Sequence, residues 1–269
     1  MLNPPLEIDL KNFDSIVINS SGGKDSVCSI WEVCRIAKEQ NYPFDKIVIS
    51  HQDLGRFEWS SVKELVHKQA KMFGLRVIVT RYRNKKGEEK TLLDYVLLRG
   101  KWPSQSQRYC TSDFKRGPGS RVLTQVSREH NANNLLQVFG FRFFESPARE
   151  KKQRFSFNKR FSNTLRTIHD WLPIHTWSSQ RVWKEIEKNN LPYHKAYNLG
   201  MPRLSCVFCI FSPFDALVLA GYHNRKLLDE YIAVELKINH TFRHNFSLQS
   251  VADAIDSGYT PKNIPDWKM

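Results

Sequence analysis

The sequence lacks any apolar run approaching the ~20 residues that a membrane-spanning helix needs, and Met1-Leu2-Asn3-Pro4-Pro5 carries no signal-peptide pattern. The expectation is a cytoplasmic chain with no membrane partner. Cysteine is scarce: the 269 residues hold five, an odd count without disulfide-scaffold spacing. That excludes a small cross-linked fold and leaves reduced thiols or a metal site. Acidic residues are also few, 27 against 41 Lys and Arg, for a net charge of +14 and a pI near 9.6. The imbalance favours polyanionic partners but does not separate a nucleic acid from a small anionic substrate. Internal repeats and low-complexity tracts are absent, and no G-x-x-x-x-G-K-[ST] phosphate loop occurs.

What is present is a globular composition, 41% hydrophobic with seven tryptophans, long enough for one large domain or a domain and an appendage. Strand and helix signals alternate through the first 140 residues. Strands are predicted at 15–20, 46–50, 75–80 and 134–140, and helices at 27–38, 58–73, 92–98 and 120–130. Such alternation implies βαβ units: an α/β fold with a parallel twisted sheet and helices on both faces. Ligands of these sheets sit beyond the carboxyl ends of the strands, where residues 21–26 and Asp53 are expected. A helix is predicted at 179–189. After Pro213 the pattern is helical (214–223, 226–238, 247–257), giving an expected division into an α/β domain, 1–212, and a helical extension, 213–269. The stretch 149–166 has seven basic residues and one acidic one, with Phe155, Phe157 and Phe161 interleaved and no regular period. It reads either as a loop tracking a phosphate backbone or as a loop whose phenylalanines dock on the core.

The most informative stretch is Ser21-Gly22-Gly23-Lys24-Asp25-Ser26, which leads from an apolar strand into a helix. Glycines let the backbone approach an anion, and the N–H groups of the first helical turn then point at it. Ser21 and Ser26 add hydroxyl donors and Lys24 a positive charge. The plainer alternative is a glycine turn that caps a helix. Cationic residues on loops, Arg108, Lys115, Arg142 and Arg149, suit phosphate or sulfate oxygens; the alternative for the arginines is ion pairing with neighbours such as Glu145 or Glu150. Asp53 suits a ribose hydroxyl or Mg²⁺, or else is a turn residue ahead of Gly55. Asp25 is a second candidate for Mg²⁺. Cys28 and Cys34 read as small buried residues, and His169, His175 and His194 as structural.

Residues 21–26 resemble the PP-loop of the ATP pyrophosphatases (adenine nucleotide alpha hydrolase-like proteins). Three further stretches extend the resemblance: Arg108 through Cys110 to Lys115, Gly140-Phe141-Arg142 on to Arg149, and Trp171 to Gly200. Together they are similar to the phosphoadenosine-phosphosulfate (PAPS) reductase family, over about residues 14–209. The resemblance implies that residues 21–26 with Asp53, Arg142 and Arg149 bind ATP with Mg²⁺, and that Lys24, Asp25, Arg108 and Lys115 act in catalysis.

The reductases use a cysteine in a C-terminal tail, whereas residues 210–269 contain none. The expectation is therefore that the usual reductive chemistry has been replaced. Cys206-Val207-Phe208-Cys209 and Cys110 resemble three of the four ligands of the [4Fe–4S] cluster in adenylylsulfate reductases, which implies a cluster with one iron open. Three reduced cysteines without metal, or a persulfide carried on Cys206 and Cys209, are the alternatives. By resemblance to the DNA phosphorothioation enzymes of the Dnd and Ssp systems, the expected function is an ATP pyrophosphatase that adenylates a DNA phosphate oxygen for replacement by sulfur, in phage defence. The implied partners are DNA, a cysteine desulfurase as sulfur donor and other modification-complex subunits. A PAPS or adenylylsulfate reductase with a partner's thiol, a tRNA thiolase, and a non-catalytic nucleic-acid-binding subunit stand as alternatives.

Overall fold

The computed structural model describes residues 8–262 and 264–267; the N-terminal pentapeptide read above lies outside them. The chain forms two compact units. The first comprises residues up to 52 with 61–80 and 118–194, and the second comprises 53–60, 81–117 and 195 onward.

The first unit is built on a six-stranded sheet: β1 (Ser15–Asn19), β2 (Ile47–Gln52), β3 (Arg76–Thr80), β4 (Asn134–Val138), β5 (Phe155–Phe157) and β6 (Thr167–Trp171). The order is β3-β2-β1-β4-β6-β5, with every pair parallel except β5 against β6. Successive side chains point to opposite faces and both faces are covered, which explains the unbroken apolar runs Ile16-Val17-Ile18 in β1, Ile47-Val48-Ile49 in β2 and Leu135-Leu136 in β4. Ile16 and Ile18 of β1 face Ile30, Val33 and Ala37 of helix α1 (Lys24–Glu39) and Val66 and Ala70 of helix α2 (Val62–Met72). Val17 between them faces the other layer, where Val122, Leu123 and Val126 of the helix Gly117–Glu129 pack. The sheet is therefore covered on both faces, as the alternating pattern implies. A third cluster joins Val27 and Cys28 of α1 to Ile174, Trp177, Val182 and Ile186.

Two departures have local causes. The helix expected from residue 58 begins at Val62, because Ser61 takes a left-handed conformation (φ 72°) and a 3₁₀ turn occupies Gly55–Phe57. The stretch expected to lack regular structure contains β5, and β6 follows it. β5 is three residues long at the sheet edge, and β6 carries half-buried His169 and Asp170, so neither presents an apolar run. Phe155 lies flat on His169 with ring centroids 5.1 Å apart, and Phe161 packs against the second core layer; Phe157 is exposed.

The second unit is largely helical, with Leu92–Arg99, Phe214–His223, Arg225–Ile238 and Gln249–Asp256. The last three are the helices expected after Pro213. A short helix at Tyr109–Thr111 runs into a π turn, Ser112–Arg116. No helix among the described residues is long and apolar enough to cross a membrane.

Candidate functional site

The first unit carries the glycine turn. β1 ends at Asn19, Gly22 adopts φ +73°, and α1 starts at Lys24 with Gly23 as its N-cap. A side chain at Gly22 would be strained by that φ and would crowd Val62, its Cβ lying 3.2 Å from Val62 Cγ1. No side chain caps α1, so its first turn presents backbone N–H groups to whatever anion enters. The hydroxyls hold the turn together: Ser21 and Ser26 Oγ are 3.1 Å apart, the Ser21 N–H donates to Ser26 Oγ, and the Gly22 N–H donates to Ser20 Oγ. Gln69 Nε2, buried on α2, donates to the Gly22 carbonyl at 3.2 Å and to the Pro192 carbonyl at 2.9 Å.

Below the turn lies a buried charge triad. Lys24 is 2% exposed, and its Nζ is 3.0 Å from Asp25 Oδ2. Arg142, 1% exposed, reaches Asp25 Oδ1 with Nε at 2.6 Å and Ser179 Oγ with Nη1 at 3.2 Å. Burial pushes the Asp25 carboxyl up, but Lys24 and Arg142 outweigh it and hold it below its ordinary value. One carboxylate between two cations leaves a net positive site that orients Lys24. Gly140 makes the arrangement possible: a Cβ there would stand 2.9 Å from the Asp25 carbonyl oxygen, so only glycine lets the end of β4 approach the first turn of α1.

Arg149 pairs with Glu145 and lies over the Phe141 ring, 4.5 Å from its centroid, as the ion-pairing alternative anticipates. Glu145 also accepts from the Arg142 N–H, and His175 Nε2 is 2.9 Å from the Arg149 carbonyl. Arg149 thereby stays on the chain that carries Arg142.

The second unit gathers the other expected residues. Cys110 sits on the short helix before the π turn that carries Lys115, a geometry common at functional sites. The Cys206–Cys209 segment is fixed by the Val207 N–H donating to the Phe57 carbonyl at 2.9 Å and by burial of Val207 and Phe208. Cys206 and Cys209 are half-buried and not disulfide-bonded. Burial pushes the Cys206 thiol up to about 12, against the pull of Lys115. Cys209 is also raised by burial, with the Phe211 backbone N–H and Lys115 opposing. The Lys115 ammonium is raised in turn, most by Cys206 and against burial, with Glu58, Cys110 and Cys209 adding. Lys115 thus stays charged, and the residue as a whole is exposed.

Among the described residues the three sulfurs do not all lie within 4.8 Å of one another, whereas tetrahedral zinc would bring them to roughly 3.8 Å. A cluster of several irons spreads its thiolates further. Tyr231 adds an observation that fits a sulfur-rich group there. Its ring is buried against Phe208, centroids 5.2 Å apart, burial pushes its hydroxyl well above the ordinary value with the three cysteines adding, and the hydroxyl has no hydrogen-bond partner among the described residues.

Asp53 and Arg108 lie in the same unit. Asp53 Oδ2 accepts from Arg81 Nε at 3.0 Å and Nη2 at 2.8 Å, while Oδ1 accepts the Gly55 N–H at 2.6 Å. Asp25 and Asp53, expected as Mg²⁺ ligands, are both engaged by cations, Asp25 by Lys24 and Arg142 and Asp53 by Arg81. Arg108 lies over the Phe211 ring at 4.5 Å. Cys28 and Cys34 are buried, Cys28 Sγ donating to the Val182 carbonyl, as the structural reading expects.

Sequence reasoning passes over Gln69, Ser179, Glu58 and Tyr231. A glutamine within the apolar stripe of α2 was the one visible signal; the others depend on which segments meet.

The family model described as "Phosphoadenosine phosphosulfate reductase domain" matches residues 15–211. An uncharacterized protein of Methanocaldococcus jannaschii is 27% identical over 194 residues, covering 72% of this chain and 36% of that protein. An adenosine 5'-phosphosulfate reductase of Lysinibacillus sphaericus is 28% identical over 39% of this chain and 44% of its own. The chain spans less than half the length of these curated relatives. Among solved structures, the phosphoadenylyl-sulfate reductase of Candida auris aligns with TM-score 0.46 and 15% identity, over 71% of this chain and 81% of that one.

Proposed function

The chain belongs to the phosphoadenosine phosphosulfate reductase domain family, and from that premise we propose that it is an ATP pyrophosphatase that activates an oxygen for replacement by sulfur, with a phosphate oxygen of DNA as the acceptor. The observation that carries the reading is the glycine turn into an uncapped helix, with Lys24 held by the Asp25–Arg142 pair.

In this reading ATP lies with its β- and γ-phosphates on the turn. The amides of the first helical turn and the Lys24 ammonium take up charge as the bond between the α-phosphorus and the bridging oxygen breaks. The acceptor oxyanion attacks the α-phosphorus, pyrophosphate leaves, and the acceptor carries AMP. A sulfur nucleophile delivered by a desulfurase then displaces AMP. Asp25 is a positioning residue: its carboxylate is shared by two cations and holds Lys24 in place. A magnesium ion would enter with the nucleotide and would help to neutralise its phosphates.

Cys110, Cys206 and Cys209, with Lys115 and the Tyr231 hydroxyl beside them, suit an iron–sulfur cluster. Bound there, it would supply iron able to hold sulfide. Lys115 would balance the negative charge of thiolates that burial otherwise keeps protonated. A second reading, cleavage of a sulfonucleotide, is favoured by the relatives named adenosine 5'-phosphosulfate reductase.

The test is turnover with products separated. AMP and pyrophosphate from ATP, faster with DNA present, support the proposal. Sulfite from adenosine phosphosulfate with no cleavage of ATP would replace it with the second reading.

A further inference from the structure

The second unit has a recess of about 540 Å³ into which Arg99, Lys101, Arg108 and Arg116 face, the rest of its lining being glutamine, serine and Tyr109. No carboxylate contributes to the wall. All four cations are exposed, and none is in a salt bridge among the described residues. Two are held by neutral groups. The Arg99 guanidinium stands 4.7 Å from the Tyr109 ring centroid and 5.4 Å from that of Tyr95, and Arg108 lies 4.5 Å from the Phe211 centroid with Nε donating to the Gln105 carbonyl. Aromatic faces orient a guanidinium without neutralising it. Asp113, next to the lining residue Ser112, is taken up by the Tyr95 and Ser112 hydroxyls.

Two arginines of the stretch 149–166 differ from these. There Arg149 is paired with Glu145, and Arg166 donates to Thr124 Oγ1 and the Phe161 carbonyl. Those two arginines are tied into the fold, while the recess gathers four cations on one wall.

We propose that the recess takes the phosphodiester backbone of a nucleic acid strand, contacting phosphates without reading bases. Four uncompensated cations with amide and hydroxyl donors suit successive phosphates. A mononucleotide would need an apolar or aromatic slot for its base, and the single ring here is buried beneath Arg99. The proposal rests on the nucleic-acid reading of the function and names the surface that holds the strand. DNA and RNA share this chemistry, so both are probed.

The experiment is fluorescence anisotropy on the full chain with duplex DNA, single-stranded DNA and single-stranded RNA of about 20 nucleotides, across a salt series. Each lost phosphate contact lowers the slope of log K against log salt by about 0.7 for single strands and 0.9 for duplex. R99Q/K101Q/R116Q is expected to flatten the slope by about 2–3 and weaken all unrelated sequences alike, with ATP turnover in the absence of nucleic acid unchanged. Should the triple variant not fold, K101Q/R116Q is expected to flatten it by about 1–2; neither side chain has a bonding partner among the described residues. The probe bound tightest identifies the strand. Unchanged slope and affinity in variants of a protein that binds nucleic acid would overturn the recess and leave the functional reading standing. A tenfold spread among sequences of one length would overturn backbone-only contact. Wild-type protein that cleaves ATP to AMP yet binds none of the probes would overturn the proposal and the DNA acceptor, leaving the pyrophosphatase.

Discussion

Lys24 and Lys115 are both cations on helical turns, yet their surroundings differ. Lys24 is buried and tied to Asp25, itself tied to Arg142, so two cations share one carboxylate in a rigid setting. Lys115 is exposed and faces three thiols and Glu58. The first arrangement carries fixed charge and suits an anion that arrives already charged. The second places a charged ammonium beside thiols that burial keeps protonated, and it suits a group that binds thiolates. The difference teaches that a lysine's role is set by what neutralises it before the ligand arrives.

The sharpest way to break the comparison is to unbalance the buried triad. Arg142→Gln removes a guanidinium from a buried carboxylate and is expected to cost about 3–5 kcal/mol in urea unfolding; a loss below about 1 kcal/mol would show that Asp25 does not depend on it. Lys24→Ala is expected to slow ATP cleavage by about 10²–10³ with the fold retained by circular dichroism. Wild-type rates would remove the turn from catalysis.

On the thiol side, Cys206, pushed up to about 12, is expected to react with iodoacetamide at about pH 8 roughly a hundredfold more slowly than a free thiol of pKa about 8.5, because its far smaller thiolate fraction is only partly offset by the higher nucleophilicity of that thiolate. Reaction at the free-thiol rate would mean that Lys115 outweighs burial. Tyr231→Phe removes an unpartnered buried hydroxyl and is expected to stabilise the protein free of iron by about 1 kcal/mol. After reconstitution with iron and sulfide that gain should vanish, and its persistence would mean the hydroxyl meets no sulfur. The smallest effect concerns pH. Because the Asp25 carboxyl is held below 3.8, its contribution to stability is complete above that value and is lost as pH falls beneath it. Asp25→Asn should therefore flatten the acid limb of stability against pH.

Much of the first arrangement was legible from residue order. The run from Ile16 to Ile18 is apolar because both faces of β1 are covered, and Gly22 stands where a positive φ and the close approach of Val62 require it. The same logic placed α1 and the sheet order's parallel character. β6 was not legible, because His169 and Asp170 interrupt its apolar pattern, and the start of α2 was set by the conformation of Ser61.

The sequence by itself determined the α/β architecture, the anion-seeking turn and the excess of positive charge, since each is encoded in local periodicity, spacing or composition. Only the tertiary structure decided which charges are spent within the molecule. Asp25 and Asp53 are both engaged by cations, Arg149 is paired, and the arginines of 99–116 keep their charge uncompensated. The reason is physical: ion pairing depends on distances of a few ångströms between segments far apart in the chain, and residue order alone does not fix those distances.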